Sequence, residues 1–371
     1  MRAAVTEGVG SMVLVERPEP AAPGQGEVMI QPEAVGICGS DYHFFTGDLA
    51  DAAGGSQFPR VQGHELAGRI TAVGPGCRAE LAPGQRVAVW PLHACGQCYP
   101  CRVGRPNVCD QFKLTGVHLD GGLQERLVIG ERQVFGIDTG DAAVAALAEP
   151  VSIAVRAVNR AAITPGERVV VFGAGPIGQC ICLVARERGG EPLAVDLQAS
   201  RLALSCDLGI ETLRWRDRHD VVLAARRWAG PGGPPAVFDA TGAAVAVLAM
   251  ADLVASAGRA VQVGMSNEEA PIRVAILTEK EIDLLGVSCC GGAEFAEAVA
   301  VVQRNSALLA RLISHEFPLE RAPEAIRFAI SHPAEVMKVM IRGRGCPRSC
   351  AWPARPSVRA AGLAGDGYGL R

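Results

Sequence analysis

The chain has 371 residues, 49% of them hydrophobic and 20% charged, and a formal net charge of -3. That length suits two or three domains with sizeable cores, and so small an acidic excess gives no electrostatic pull toward nucleic acid or an anionic membrane. No apolar run reaches the length of a membrane span. The segment Met1–Glu7 lacks the apolar stretch of a secretory leader, so a cytoplasmic protein is expected. Thirteen cysteines, an odd number in a long chain, read as reduced thiols and metal-bound thiolates rather than disulfides.

Up to about residue 150 the pattern predicts short strands, at Glu27–Gln31, Ala67–Val73 and Gln85–Trp90, with turns at Pro23–Gly26 and Ala82–Gln85. This texture fits an all-β, barrel-like domain with inserted loops. After Glu149-Pro150 the period changes, and Val151–Ala161 has helical spacing. A buried strand follows at Arg168–Phe172, then Gly173-Ala174-Gly175-Pro176-Ile177-Gly178 and a helix to about Arg188. Further strands are predicted at Leu193–Asp196, Ala236–Asp239, Ala260–Val263 and near Ile282–Val287, with helices between them. Such alternation indicates an α/β, doubly wound parallel sheet. Helices over Phe295–Gln303 and Glu324–Ile330 and a strand at Val336–Ile341 return the chain to the first domain. The predicted domains are therefore 1–150, completed by 290–342, and 151–289. The Gly-, Pro- and Arg-rich tail 343–371 reads as poorly ordered.

The strongest local motif is Cys95-x2-Cys98-x2-Cys101-x7-Cys109. Four thiolates at these spacings can close a tetrahedron around zinc, leaving no open position, which marks a structural site. A second, catalytic site needs about three protein ligands and one open position. Its candidates are dispersed: Cys38 in Gly36-Ile37-Cys38-Gly39-Ser40-Asp41-Tyr42-His43, then His64, Glu65 and Glu149. Each alone reads equally as an ordinary core or surface residue. The glycine-rich segment follows a strand and opens a helix, so Gly173, Gly175, Pro176, Ile177 and Gly178 are placed to hold a pyrophosphate. Asp196, ending the next strand, would accept from the adenosine ribose and repel a 2′-phosphate, favouring NAD over NADP. Arg201 could serve a phosphate or stack on adenine.

Taken together, Gly63-His64-Glu65-x2-Gly68-x5-Gly74-x2-Cys77, the Cys38 context, the four-Cys lobe and the later glycine-rich turn resemble the zinc-dependent medium-chain alcohol dehydrogenases. The likeness runs from about residue 1 to residue 342. It implies a GroES-like β-barrel catalytic domain and a Rossmann cofactor domain, two zinc ions per chain, and NAD. By resemblance Cys38 and His64 are inner-sphere zinc ligands, Glu65 and Glu149 share the zinc environment with the direct ligand left open, and Ser40 and His43 form a proton relay. Thr241, Val263 and Gly264 would face the nicotinamide half. The Glu149-Pro150 pair resembles the sorbitol, xylitol and sugar-acid branch. The implied substrate is a small-molecule secondary alcohol, a polyol or sugar acid, and the implied assembly is a homodimer or homotetramer.

Sorbitol dehydrogenases carry a Tyr after the relay His and an Arg-Tyr pair where Ser288-Cys289-Cys290 lies, whereas this chain has Phe44 and no such pair. Thr115–Gly122 is closer to bacterial hexonate dehydrogenases. Tyr42, Phe44, Phe45, Trp90 and His118 are candidate pocket residues, each equally explained by packing. Threonine or 2,3-butanediol dehydrogenase is the alternative within the class. Outside it stand a zinc-free reductase of the same superfamily and a zinc-binding regulator built on the four-Cys lobe.

Overall fold

The structure, a computed structural model, describes residues 1–48 and 57–343. Two sheets organise it. The first is mixed: Val134–Gly136, Arg86–Val89, Glu65–Val73, Glu27–Ile37, Lys338–Arg342 and Ile313–Pro318 lie side by side, and Leu127–Gly130 also pairs with Glu27–Ile37. The second is parallel throughout, in the order Glu211–Arg214, Glu191–Asp196, Arg168–Phe172, Ala236–Asp239, Arg259–Gln262, Asp283–Gly286. The centre of this sheet is fully covered, so its strands read as unbroken apolar runs: Val169, Val170, Val171 and Phe172 are all buried.

The return of the chain is visible in register. Val339 pairs with Ile37 and Met340 with Gly36 in antiparallel fashion, while Ile341 pairs with Phe317 in parallel. This closes the first domain with a strand from the far end of the chain. Except for Gly343, the tail expectation lies outside the described residues.

Several element boundaries differ from the sequence reading. The helix Ala148–Ala161 starts three residues before Val151, because Pro150 sits in its first turn, where a missing N–H costs nothing. It therefore carries Glu149 at its very start. The helix Gly292–Arg304 also begins early, with the Gly291 N–H donating to Glu294 at 2.7 Å. The helices Gly39–Thr46 and Ala142–Ala146 were not anticipated among the strands. The stretch Ala142–Ala161 has the length and hydropathy of a membrane span after all, but 78% of its most apolar window is buried inside the fold, as in a core helix.

Candidate active site and metal centres

The four-cysteine lobe assembles as its spacing predicts. The Sγ atoms of Cys95, Cys98, Cys101 and Cys109 all lie within 4.8 Å of one another. Backbone N–H groups point at the sulfurs: Cys95 and Gln111 donate to Cys109 Sγ, both at 3.3 Å, and Cys98 donates to Cys95 Sγ at 3.4 Å. The N–H groups of Gln97 and Cys98 bring the Cys95 thiol down to about 6, while desolvation and the neighbouring thiols push Cys101 up to about 12. Four thiols this close cannot all ionise without a cation among them, and the set fits zinc.

The second cluster is built across three elements. Cys38 precedes the helix Gly39–Thr46, and Asp41 in its first turn accepts from the Cys38 N–H at 2.9 Å. His64 and Glu65 lead into the strand Glu65–Val73, where Glu65 sits opposite Gly36. A Cβ at Gly36 would stand 2.1 Å from Glu65 Oε2, so only glycine there lets the carboxylate lie across the strand pair. The result brings ligand atoms of Cys38, His64 and Glu65 within 4.8 Å of one another. A thiol, an imidazole and a carboxylate at that spacing fit a catalytic zinc.

Charge around this cluster is set by Lys338 and Asp41, to which the sequence reading gave no role, and by Glu149, which it named. Lys338, buried in the returning strand, places Nζ at 2.7 and 2.8 Å from the two oxygens of Glu65 and at 3.3 Å from the Ile37 carbonyl. Burial works against its positive charge, but Glu65 and Cys38 outweigh this and hold its pKa above the ordinary lysine value. Asp41, 1% exposed, accepts from Gln62 Nε2 at 3.2 Å and lies 3.8 Å from His64 Nδ1, an atom with no hydrogen-bond partner. Burial disfavours charge on His64, yet Asp41 and Cys38 raise its pKa well above normal. Glu149, at the start of its helix, feels the charges of His64 and Glu65 but is not among the donors that meet within 4.8 Å. Burial pushes its carboxyl up to about 7, against the attraction of His64 and with Glu65 adding to the rise.

The relay candidates share the helix Gly39–Thr46 at a spacing of three, hence one face. Ser40 Oγ is 3.4 Å from His64 Nε2. His43 is half exposed, with Nδ1 3.5 Å from Asp48, so Ser40 reaches the metal donors and His43 reaches solvent. Of the pocket candidates, Phe44 and Phe45 belong to the core, Phe44 meeting the Phe58 ring at 4.9 Å. The His118 ring packs on Phe112, and its Nδ1 accepts from the Leu114 N–H at 3.1 Å. Tyr42 packs against the barrel core, and burial raises its hydroxyl pKa.

At the second sheet, Gly173 adopts φ +91° and the helix Pro176–Glu187 starts with proline at its first position. A Cβ at Gly178 would meet the Gly173 carbonyl at 1.7 Å, so that glycine allows the helix to sit tightly on the turn. Asp196 accepts from the Ala174 N–H at 2.7 Å and the Gln198 N–H at 2.8 Å, with Arg201 Nη1 3.7 Å away. The organiser of the opposite half is Asp239, fully buried and absent from the sequence reading. It accepts from the Thr241 and Gly242 N–H groups at 3.0 and 2.9 Å and from Gln262 Nε2 at 2.7 Å. Gln262 also donates to the Gly264 carbonyl at 2.7 Å, so Thr241, Val263 and Gly264 form one bonded rim.

Residues 24–139 match the family described as Alcohol dehydrogenase GroES-like domain, and residues 176–304 match Zinc-binding dehydrogenase. The chain is 34% identical over 328 residues to L-galactonate-5-dehydrogenase of Escherichia coli K12, covering 86% of this chain and 92% of that protein. It is 33% identical to D-altritol 5-dehydrogenase of Agrobacterium fabrum, over 89% of this chain and 96% of the relative. Among solved structures, an Escherichia coli CFT073 alcohol dehydrogenase complexed with NADH superposes with a TM-score of 0.83 at 28% identity, covering 92% of this chain and 99% of the other.

Proposed function

We propose that this chain, which belongs to the zinc-binding alcohol dehydrogenase family, oxidises a secondary hydroxyl of a polyol or sugar acid with NAD. The observation that carries the reading is the convergence of Cys38, His64 and Glu65 within 4.8 Å, with a buried second carboxylate, Glu149, near enough to feel the charges of His64 and Glu65.

Cys38, His64 and Glu65 would hold the catalytic zinc, with Glu149 the fourth candidate donor; Cys95, Cys98, Cys101 and Cys109 would hold the structural one. When bound, the catalytic ion supplies Lewis acidity toward the alcohol oxygen and the nicotinamide supplies the hydride acceptor. Lys338 bonds both oxygens of Glu65 and balances its charge inside the fold. Asp41, 3.8 Å from His64 Nδ1, places a negative charge beside that ring. Ser40 accepts the alcohol proton beside the donors, and His43, half exposed on the same helix face, hands it to solvent. Gly175, Ile177 and Gly178 offer backbone N–H groups to the pyrophosphate, while Gly173, whose N–H goes to the Val195 carbonyl, makes the turn and Pro176, which has no N–H, opens the helix. Asp196 holds the ribose and selects NAD, while Arg201 lies beside it against the glycine turn. The rim tied by Asp239 orients the nicotinamide half.

The relatives named for oxidation at carbon 5 of sugar-derived substrates support a polyhydroxylated chain as substrate. The outer strand Asp283–Gly286, with Leu284 48% exposed, supports sheet-edge pairing into a homodimer or homotetramer. An NADH-formation screen over hexonates, polyols, threonine and vicinal diols, run with zinc analysis, tests the reading. About two zinc per chain and turnover of a hexonate or polyol support it; no zinc, or turnover only of threonine, overturns it.

A further inference from the structure

Between the last cofactor strand, Asp283–Gly286, and the helix Gly292–Arg304 runs a short strap whose backbone is held from three directions. Asn107, 3% exposed in the turn Pro106–Val108 of the four-cysteine lobe, donates Nδ2–H to the Ser288 carbonyl at 2.8 Å. Trp90, just past the barrel strand Arg86–Val89, donates Nε1–H to the Cys290 carbonyl at 3.2 Å. The Cys290 thiol donates to Ser152 Oγ at 3.0 Å, and Ser152 in turn donates to the Glu149 carbonyl at 2.6 Å. One bonded path therefore links the structural lobe, the strap and the turn of helix that presents Glu149.

Cys289, between the two anchored carbonyls, has φ +46°, a left-handed conformation that strains any residue with a Cβ. Such a conformation persists only where flanking contacts over-determine it. Here those contacts are the bonds at Ser288 and Cys290. The Cys289 side chain is half-buried and feels the charges of Glu149, His64 and Cys38, the groups of the candidate metal site.

We propose that Asn107 and Trp90 are positioning residues that hang the Ser288–Cys290 strap over the metal donors, so that Cys289 faces the bound alcohol. The four-cysteine lobe then shapes the substrate wall as well as stabilising its own loop. The inference rests on the reading of Cys38, His64 and Glu65 as the alcohol site.

The test uses the full-length, zinc-loaded protein with Asn107→Leu and Trp90→Phe, which keep bulk and remove one donor each. Two readouts are taken: KM for alcohol and for NAD separately, and the rate of Cys289 alkylation by iodoacetamide, mapped by mass spectrometry. Loss of one anchoring hydrogen bond should raise the alcohol KM about fivefold, leave the NAD KM within about twofold, and speed Cys289 alkylation by a similar factor. Alcohol and NAD together should protect Cys289 in the wild type. Unchanged alcohol KM and unchanged labelling in both variants would overturn the proposal, as would a lack of protection. Should Asn107→Leu shed its structural zinc, Trp90→Phe decides alone, since Trp90 bonds none of the four lobe cysteines. A wild type without turnover on any alcohol would sink the functional reading, while the labelling difference between wild type and variants would still judge the strap.

Discussion

Lys338→Met removes the one cation paired with Glu65 among the described residues, while a flexible apolar side chain of similar length keeps the volume filled. The two side chains are 4% and 1% exposed, and Nζ meets both carboxylate oxygens at 2.7 and 2.8 Å. Deprived of the lysine, Glu65 would stand buried beside the carboxyls of Glu149 and Asp41. Breaking a buried pair by removing one partner costs about 3–5 kcal/mol. A divalent ion next to Glu65 would replace much of the lost positive charge, so the loss should be larger in chelator-treated protein than in zinc-loaded protein. Urea unfolding followed by tryptophan fluorescence in both states reads the difference. Adding Glu65→Gln to Lys338→Met should recover most of the stability, because neither charge of that pair is then left without the other. A loss below about 1 kcal/mol in the metal-free protein, the range of exposed pairs, would refute this reasoning.

Cys38→Ser should abolish turnover while leaving NAD binding near wild type by fluorescence titration; retained turnover would remove Cys38 from the metal site. Asp196→Ala should reduce the NAD-over-NADP ratio of kcat/KM by at least about tenfold, the scale of one lost charged contact, and an unaltered ratio would mean that Asp196 does not meet the ribose. Glu167 is held below its ordinary pKa: burial opposes the shift, but Arg259, bonded at 2.8 Å, and the Thr164 N–H outweigh it. A lowered carboxylate pKa contributes stability above the unfolded value of 4.5 that fades as pH falls through the folded value. Glu167→Gln should therefore cost about 1 kcal/mol at pH 7 and nothing in strong acid, and a pH-independent difference in unfolding midpoint would exclude the ion pair as its cause.

The parts of the site that lie close in sequence were legible there. Four cysteines within fifteen positions, and His64 beside Glu65, need only local backbone to meet. The glycine-rich turn was readable because strand, turn and helix follow one another directly. Lys338 was not, since 273 positions separate it from Glu65. Its signal was a charge inside the otherwise apolar run Met337–Ile341, which a buried strand tolerates only with a partner. Asp239 was hidden for a similar reason: an acid ending a strand looks like surface until the two neighbouring loops close on it. The early start of the helix Ala148–Ala161 was masked by Pro150, a breaker everywhere except in a first turn.

The strand Lys338–Arg342 completes a sheet whose partner strand was made near the beginning of the chain, its lysine bonding Ile37 across 301 positions. During synthesis the barrel must wait, with an open seam and an uncompensated Glu65, until the whole cofactor domain has been made. Throughout that interval the acid beside Cys38 and His64 has no lysine to satisfy it. Until closure Glu65 lacks the cation that later pairs with it, and the last strand to arrive supplies that charge as it seals the sheet.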